Sequence, residues 1–377
     1  RFPEGDYFYE DNPLHWFVLS SAKSIVLIDE VVAYHRMARE GQTMGAGAYK
    51  LSALLTHINT TRRFLKKNSK SFIVNEFVDF SMQTRWVVNR QKETTLQKIL
   101  KKRFYQEVDK IDFAEDGFLS KHENRLKDFK ISYPDLDLTV VIYNEKNEPI
   151  ESIVSSIEKI RNVQFNVYLV NPYDDLKEDV DFKEVKGIDV ISFNIHKGNM
   201  RIINSIIPVC IGKYTLFTYP GSISAKDIEE LVKIAKKQKL DMLYPENFSS
   251  RRNKYSTFIR TNHLRDMNIN YGITALSSYP LLWSSLINTN KKSGTDLLNY
   301  KGKYLKEDYQ YYLDFIIETK FFLQSSLFTQ ANKREKEFIV KYIGSVISSA
   351  QNNLDFESWS ELYRLEFNNI INSLKEK

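Results

Sequence analysis

The sequence predicts an α/β chain: a mostly parallel sheet module flanked by helical regions. Three observations carry that expectation. Leu138-Thr139-Val140-Val141-Ile142-Tyr143 is a continuous apolar, β-branched run, the pattern of a strand buried on both faces. Similar runs alternate with amphipathic stripes between residues 137 and 245, which favours parallel strands with helices on both sides. Before and after that block, apolar residues recur at helical spacing.

Composition sets the bounds. At 377 residues, with 42% hydrophobic and 27% charged, the chain can hold two or three domains and bury a large core. No apolar run reaches the roughly 18–20 residues that a membrane span needs. The one cysteine, Cys210, excludes an internal disulfide framework and a multi-cysteine zinc site, and a cytoplasmic location is expected. In Ile206-Ile207-Pro208-Val209-Cys210-Ile211 it reads as a small buried hydrophobe. The net charge of +6 is clustered at Arg62-Arg63-Phe64-Leu65-Lys66-Lys67, Lys101-Lys102-Arg103, Lys236-Lys237-Gln238-Lys239 and Arg251-Arg252. Solvated helix faces are the plain reading of such clusters. The functional alternative is peripheral attraction to an anionic membrane or an anionic polymer. Nucleic acid is not expected, for the charge is modest and no nucleic-acid motif is present.

Taken in order, the elements are these. Tyr9-Glu10-Asp11-Asn12-Pro13 opens a helix running through Ala22. Acidic residues suit a helix start because free N–H groups and the dipole favour negative charge there. In residues 46–136, Leu51, Leu54, Leu55 and Ile58 form one helical stripe, and Ile73, Phe77 and Phe80 form another. A third run leads to Phe104-Tyr105, and residues 132–137 read as a linker. Within residues 137–290, strands are expected at 138–143, 167–170, 190–193 and 214–217. Pro149 starts a helix with Ile150, Ile153, Val154, Ile157 and Ile160 on one face. Ser224 caps a helix carrying Ile228, Leu231, Val232 and Ala235. Residues 291–377 close with aromatic-rich helices, read as core, with a seam between two copies of the chain as the alternative.

The first 45 residues carry a functional resemblance. Phe2-Pro3-Glu4-Gly5 precedes the Glu10-Asp11 pair, then come the helix, Ser24-Ile25-Val26-Leu27-Ile28 and Val32-Ala33-Tyr34-His35-Arg36. This order resembles the C-terminal part of the catalytic domain of family 2 glycosyltransferases, which are inverting and of the Rossmann-like GT-A fold. Arg39-Glu40-Gly41-Gln42-Thr43-Met44 is similar to the phosphate-side loop of wall-teichoic-acid sugar transferases, some of which carry His where this chain has Thr43. The resemblance implies Asp11 as general base, with Glu10 beside it. It also implies a place near the donor phosphates for His35, Arg36 and Arg39. His15, one helical turn past Asp11, is read as a packing residue, with contact to the acceptor as the alternative. The nucleotide-binding half with its Asp-x-Asp metal motif would lie upstream of Arg1. A Mg²⁺ or Mn²⁺ ion is therefore expected only with that half, and no metal-binding residue is assigned here. The six histidines show no metal-ligand spacing.

The block from residue 137 resembles a worn GT-A nucleotide-binding half. Val140-Val141-Ile142-Tyr143-Asn144-Glu145 stands at the family's first strand and Tyr-Asn turn, and Asn204 precedes Gly212 at the family's Asn-to-Gly spacing. Thr218-Tyr219-Pro220 holds the place of Asp-x-Asp and offers a divalent cation no anionic ligand. Asn171-Pro172 holds the place of the uridine-binding acid. His196-Lys197-Gly198-Asn199 has the look of a phosphate-friendly turn and is read as a loop. An internal repeat sharpens the contrast. Laid without gaps under Phe2 through Trp16, Ile269 through Trp283 aligns Gly272 with Gly5, Pro280 with Pro13, Leu281 with Leu14 and Trp283 with Trp16. Ser277-Ser278 then falls on Glu10-Asp11. A serine is too weak a base to take the acceptor proton unaided, whereas a carboxylate can.

Two functions are expected from this. One is transfer of a sugar from a nucleotide-sugar donor onto a surface polysaccharide or polyol-phosphate acceptor, with the second module silent. The other is a non-catalytic scaffold derived from tandem transferases.

Overall fold

The computed structural model describes residues 11–26, 28–30, 53–68, 86–89, 94–110, 118–144, 147–173, 179–196, 206–245, 256–266 and 291–298, and residues 333, 336, 337, 339, 340 and 343. The helices are α1 (Asp11–Ser21), α2 (Ala53–Lys67), α3 (Trp86–Asn89), α4 (Thr94–Val108), α5 (Phe118–Lys130), α6 (Ile150–Ile157), α7 (Ala225–Gln238) and α8 (Thr261–Asp266). The strands are β1 (Leu138–Tyr143), β2 (Phe165–Tyr173), β3 (Asp179–Val185), β4 (Ile188–His196), β5 (Tyr214–Thr218), β6 (Met242–Pro245), β7 (Thr257–Arg260) and β8 (Lys292–Thr295).

These strands form one sheet in the order β3-β4-β2-β1-β5-β7-β6-β8. The centre, β4-β2-β1-β5, is parallel, with Leu138 level with both Phe165 and Tyr214. Strand β3 runs against β4, and β7 runs against both β5 and β6. The fold is therefore α/β with a mixed, mostly parallel sheet. Strand β3 was not expected from the sequence. It is an edge strand whose Val180 and Phe182 alternate with charged residues, and it is joined to β4 by Lys186-Gly187, both at positive φ. Two such residues in succession are what a tight two-residue hairpin requires.

Alternation along β1 sends its side chains into two cores. Leu138, Val140 and Ile142 join Ile153, Val154 and Ile157 of α6 and Ile228, Leu231 and Val232 of α7. That is the helix face the apolar spacing predicts. Ser224 caps α7: its hydroxyl accepts the Asp227 N–H at 3.2 Å, and Asp227 reaches back to the cap. On the other side, Val141 and Tyr143 join Leu55 and Ile58 of α2 and Leu96, Ile99, Leu100 and Phe104 of α4. The helices between residues 53 and 130 are thus the layer that covers one face of the sheet. The segment read as a linker is tied down too. Tyr133 is buried and donates to Asp189, and Ser132 donates to the Lys98 carbonyl at 2.9 Å.

Gly212 precedes β5 where two backbones touch. A Cβ there would lie 2.4 Å from the Thr139 nitrogen and 2.5 Å from the Leu138 carbonyl carbon, so only glycine fits without moving β1. Cys210, just before it, is fully buried, and burial pushes its thiol up to about 12, as suits an inert core residue.

Candidate functional site

The chain order β1, β2, β4 steps outward in one direction, and β5 then returns to the far side of β1. In open α/β sheets ligands bind at the carboxyl ends of the strands where the order reverses, here between β1 and β5. Among the described residues, a belt of polar side chains, uncharged but for Asp181 at its outer end, occupies that edge.

Its first half is a run of amides. Asn144, just past β1, donates to Asn171 Oδ1 of β2 at 2.9 Å. Asn171 donates to Asn194 Oδ1 of β4 at 2.9 Å, and Asn194 donates to Asp181 Oδ2 of β3 at 3.2 Å. The register makes this unavoidable, for Asn171 and Asn194 are paired positions and the Asn144 N–H bonds the Val170 carbonyl. Asn144 also fixes the following turn, accepting the Glu148 N–H at 2.7 Å and donating to the Glu148 carbonyl at 3.0 Å.

The second half is a hydroxyl cluster at the end of β5. Thr218 Oγ1 lies 2.6 Å from Ser222 Oγ and 2.7 Å from Ser256 Oγ. Ser222 accepts the Tyr219 N–H at 3.1 Å and donates to the Tyr219 carbonyl at 2.7 Å. A serine has one hydroxyl proton. With that of Ser222 on a carbonyl, Thr218 must donate to Ser222, and Ser256 to Thr218. The chain turns between them at Pro220-Gly221, with Gly221 at φ 65°, where proline and then glycine suit a type II turn.

Asn144, Asn171, Thr218, Ser222 and Ser256 are all buried, and Asp181, the carboxylate of the belt, is exposed at its outer end. Amides and hydroxyls bonded to one another can hold a shape, but they offer neither a proton acceptor nor an anionic metal ligand. The divalent cation that the family resemblance implies does not fit at Thr218-Tyr219-Pro220. The Thr218 oxygen is already shared between two hydroxyls, and Tyr219 is packed in the core, its ring 5.6 Å from that of Tyr143. Among the described residues, no cluster of three His, Cys, Asp or Glu side chains is arranged to hold a metal.

Strong electrostatics lie elsewhere, at the amino end of β5. Arg103 and Glu107 of α4 form a buried ion pair, Lys110 reaches Glu107 at 3.0 Å, and Arg265 of α8 approaches it at 3.8 Å. Arg265 also donates to Gln106 Oε1 at 3.1 Å and to the Cys210 carbonyl. Burial alone would raise the Glu107 carboxyl. Arg103 first, then Lys110 and Arg265, outweigh it and hold the group below the usual carboxylate value. Burial brings Lys110 down to about 8 despite the pull of Glu107. This cluster staples α4 and α8 to the loop before β5, at the sheet edge opposite the belt.

The residues singled out from the N-terminal motif are only partly placed. Asp11 is the first residue of α1, which ends at Ser21, one residue before the expected end. His15 is exposed on α1, and Trp16 packs against the helical-layer core. Helix α1 itself lies on α2, with the Phe17 and Phe64 rings 4.3 Å apart. Glu10, His35, Arg36, Arg39 and the second copy of the repeat, including Ser277-Ser278, lie outside the described residues. Of the turn His196-Lys197-Gly198-Asn199, His196 ends β4 and the rest lies outside. Asn194, Ser222 and Ser256 were not singled out from sequence. The usable signal for Asn194 was its place directly after the apolar run ending at Phe193.

No protein-family model matches the chain, and no curated protein matches it. Among the described residues, no helix is long and apolar enough to cross a membrane.

Proposed function

We propose that the chain belongs to a sugar transferase acting from a nucleotide-sugar donor onto a surface polysaccharide or polyol-phosphate acceptor, and that its sheet module is catalytically silent. One observation carries the second half. Among the described residues, the buried side chains at the carboxyl edge of the sheet, where a ligand would enter, are amides and hydroxyls that satisfy one another. The first half rests on the residue order around Glu10-Asp11 and its likeness to inverting family 2 glycosyltransferases of the GT-A type. In that chemistry Asp11 takes the acceptor hydroxyl proton as the oxygen attacks the anomeric carbon, and the nucleoside diphosphate leaves from the opposite face. The sheet module then serves as scaffold or acceptor support. A purely scaffolding chain is the second reading, favoured by the same closed edge.

The test is sugar transfer to a teichoic-acid or polysaccharide acceptor by the natural full-length protein. Asp11→Asn is expected to lose about two to four orders of magnitude in turnover, the range that general-base catalysis supplies. Ser278→Ala is expected to stay within about twofold. Equal losses from both contradict the division of labour. Full activity in Asp11→Asn removes Asp11 as the base and leaves the scaffold reading.

A further inference from the structure

The buried charge cluster at the amino end of β5 holds one donor and one acceptor that the contacts described above do not satisfy. Arg265 donates from Nη1 to Asn262 Oδ1 at 3.2 Å, and from Nη2 to Gln106 Oε1 at 3.1 Å and to the Cys210 carbonyl. Its Nε has no hydrogen-bond partner among the described residues. Glu107 receives Arg103 and, at 3.0 Å, Lys110 on Oε1. Its Oε2 likewise has no partner among the described residues. Both residues are buried, and both atoms are shut off from bulk solvent. A guanidinium Nε–H can only donate, and a carboxylate oxygen can only accept. Native folds satisfy nearly all such groups, with protein or with ordered water, because a charged group left unmet in the interior is costly.

A second observation comes from spacing. Arg265 Nη1 and Glu107 Oε1 lie 3.8 Å apart, near enough to attract and too far for a direct hydrogen bond. Bonded pairs of this kind close to about 2.7–2.9 Å. A wider gap between buried polar groups is where a bridging water is expected. The open donor and the open acceptor thus belong to two oppositely charged neighbours, one on α8 and one on α4. A bound cation would meet the Arg265 charge, and a bound anion would meet that of Glu107. The species that fits both atoms is neutral and both donates and accepts.

From this geometry we infer that an ordered internal water bridges Arg265 Nε and Glu107 Oε2, completing the tie between α8 and α4. Its oxygen accepts the Nε–H, and one of its protons goes to Oε2. The inference stands independently of the transferase reading.

Two measurements on the full chain test it. Arginine Nε–H groups resonate apart from backbone amides in nitrogen-15 spectra, and the signal lost in Arg265→Lys is that of Arg265. In the parent this signal should show a cross-relaxation peak with a long-lived bound water. A crystal structure that shows ordered solvent should place a water within about 3.2 Å of both Nε and Oε2. The crystal measurement needs no variant, so it decides the matter even if Arg265→Lys does not fold. A missing cross-peak overturns the inference. So does a map in which Nε meets Oε2 directly, another side chain fills the gap, or the bridging density is an ion.

Discussion

At the residue scale, Lys110 is the most informative side chain in the buried charge cluster. Its amine titrates near 8 in the folded chain against 10.5 for a free lysine, because burial outweighs the attraction of Glu107. Between those values the unfolded chain holds more protons than the folded one, so stability rises with pH in that window. Cys210, raised to about 12, acts with the opposite sign above about pH 9. A comparison of Lys110→Met with the parent by urea denaturation isolates the lysine. The parent should gain about 1 kcal/mol more than the variant from pH 7 to pH 9. Parallel profiles would show that Lys110 is solvated. Glu107 acts at the other end of the scale. Its lowered value adds stability above the ordinary carboxylate range, and this is lost as acid protonates the group.

At the element scale, the amide belt links strands that the chain order keeps apart. Asn171 both donates to Asn194 and accepts from Asn144, so Asn171→Ala removes one hydrogen bond from the buried Asn144 amide, which keeps the Glu148 carbonyl, and one from the half-buried Asn194. A loss of about 1–3 kcal/mol in unfolding free energy is expected, and on the proposed transferase reading sugar transfer is unchanged. A variant that is stable but inactive would instead make the belt a ligand site. This scale also shows what could be read in advance. Strand β1 was legible to its end residues, because a strand buried on both faces leaves a continuous apolar run. The buried faces of α6 and α7 were legible through helical spacing, and the cap of α7 through Ser224. Strands β6, β7 and β8 were not. Each is four residues long, and Lys292-Ser293-Gly294-Thr295 carries no apolar pattern, its strand form coming from pairing with β6. The belt was half legible. Asn171 and Thr218 were noticed for what they replaced, but contacts spanning 27 and 23 residues are set by register and not by local sequence.

At the scale of the whole molecule, the helices from residues 53 to 130 and the sheet share one core. Val141, Tyr143, Tyr168, Phe193 and Phe217 face Leu55, Ile99, Leu100 and Phe104 across it. A chain shortened to begin at residue 137 would present that sheet face to water. It is expected to lose its cooperative thermal transition and to bind a hydrophobic dye, as read by calorimetry and ANS fluorescence. A sharp transition in the shortened chain would show that the sheet is stable without its helical layer. Of the N-terminal motif's candidate residues, Asp11 and His15 lie on α1, and Glu10, His35, Arg36 and Arg39 lie outside the described positions.

The closed hydroxyl cluster at the end of β5 bears on what the module could become. An aspartate placed at Thr218 would arrive as an anion wedged between the hydroxyls of Ser222 and Ser256, neither of which carries a positive charge to offset the desolvation. The first step toward a metal-binding edge is therefore a step downhill in foldability, and it can be crossed only if several positions change together.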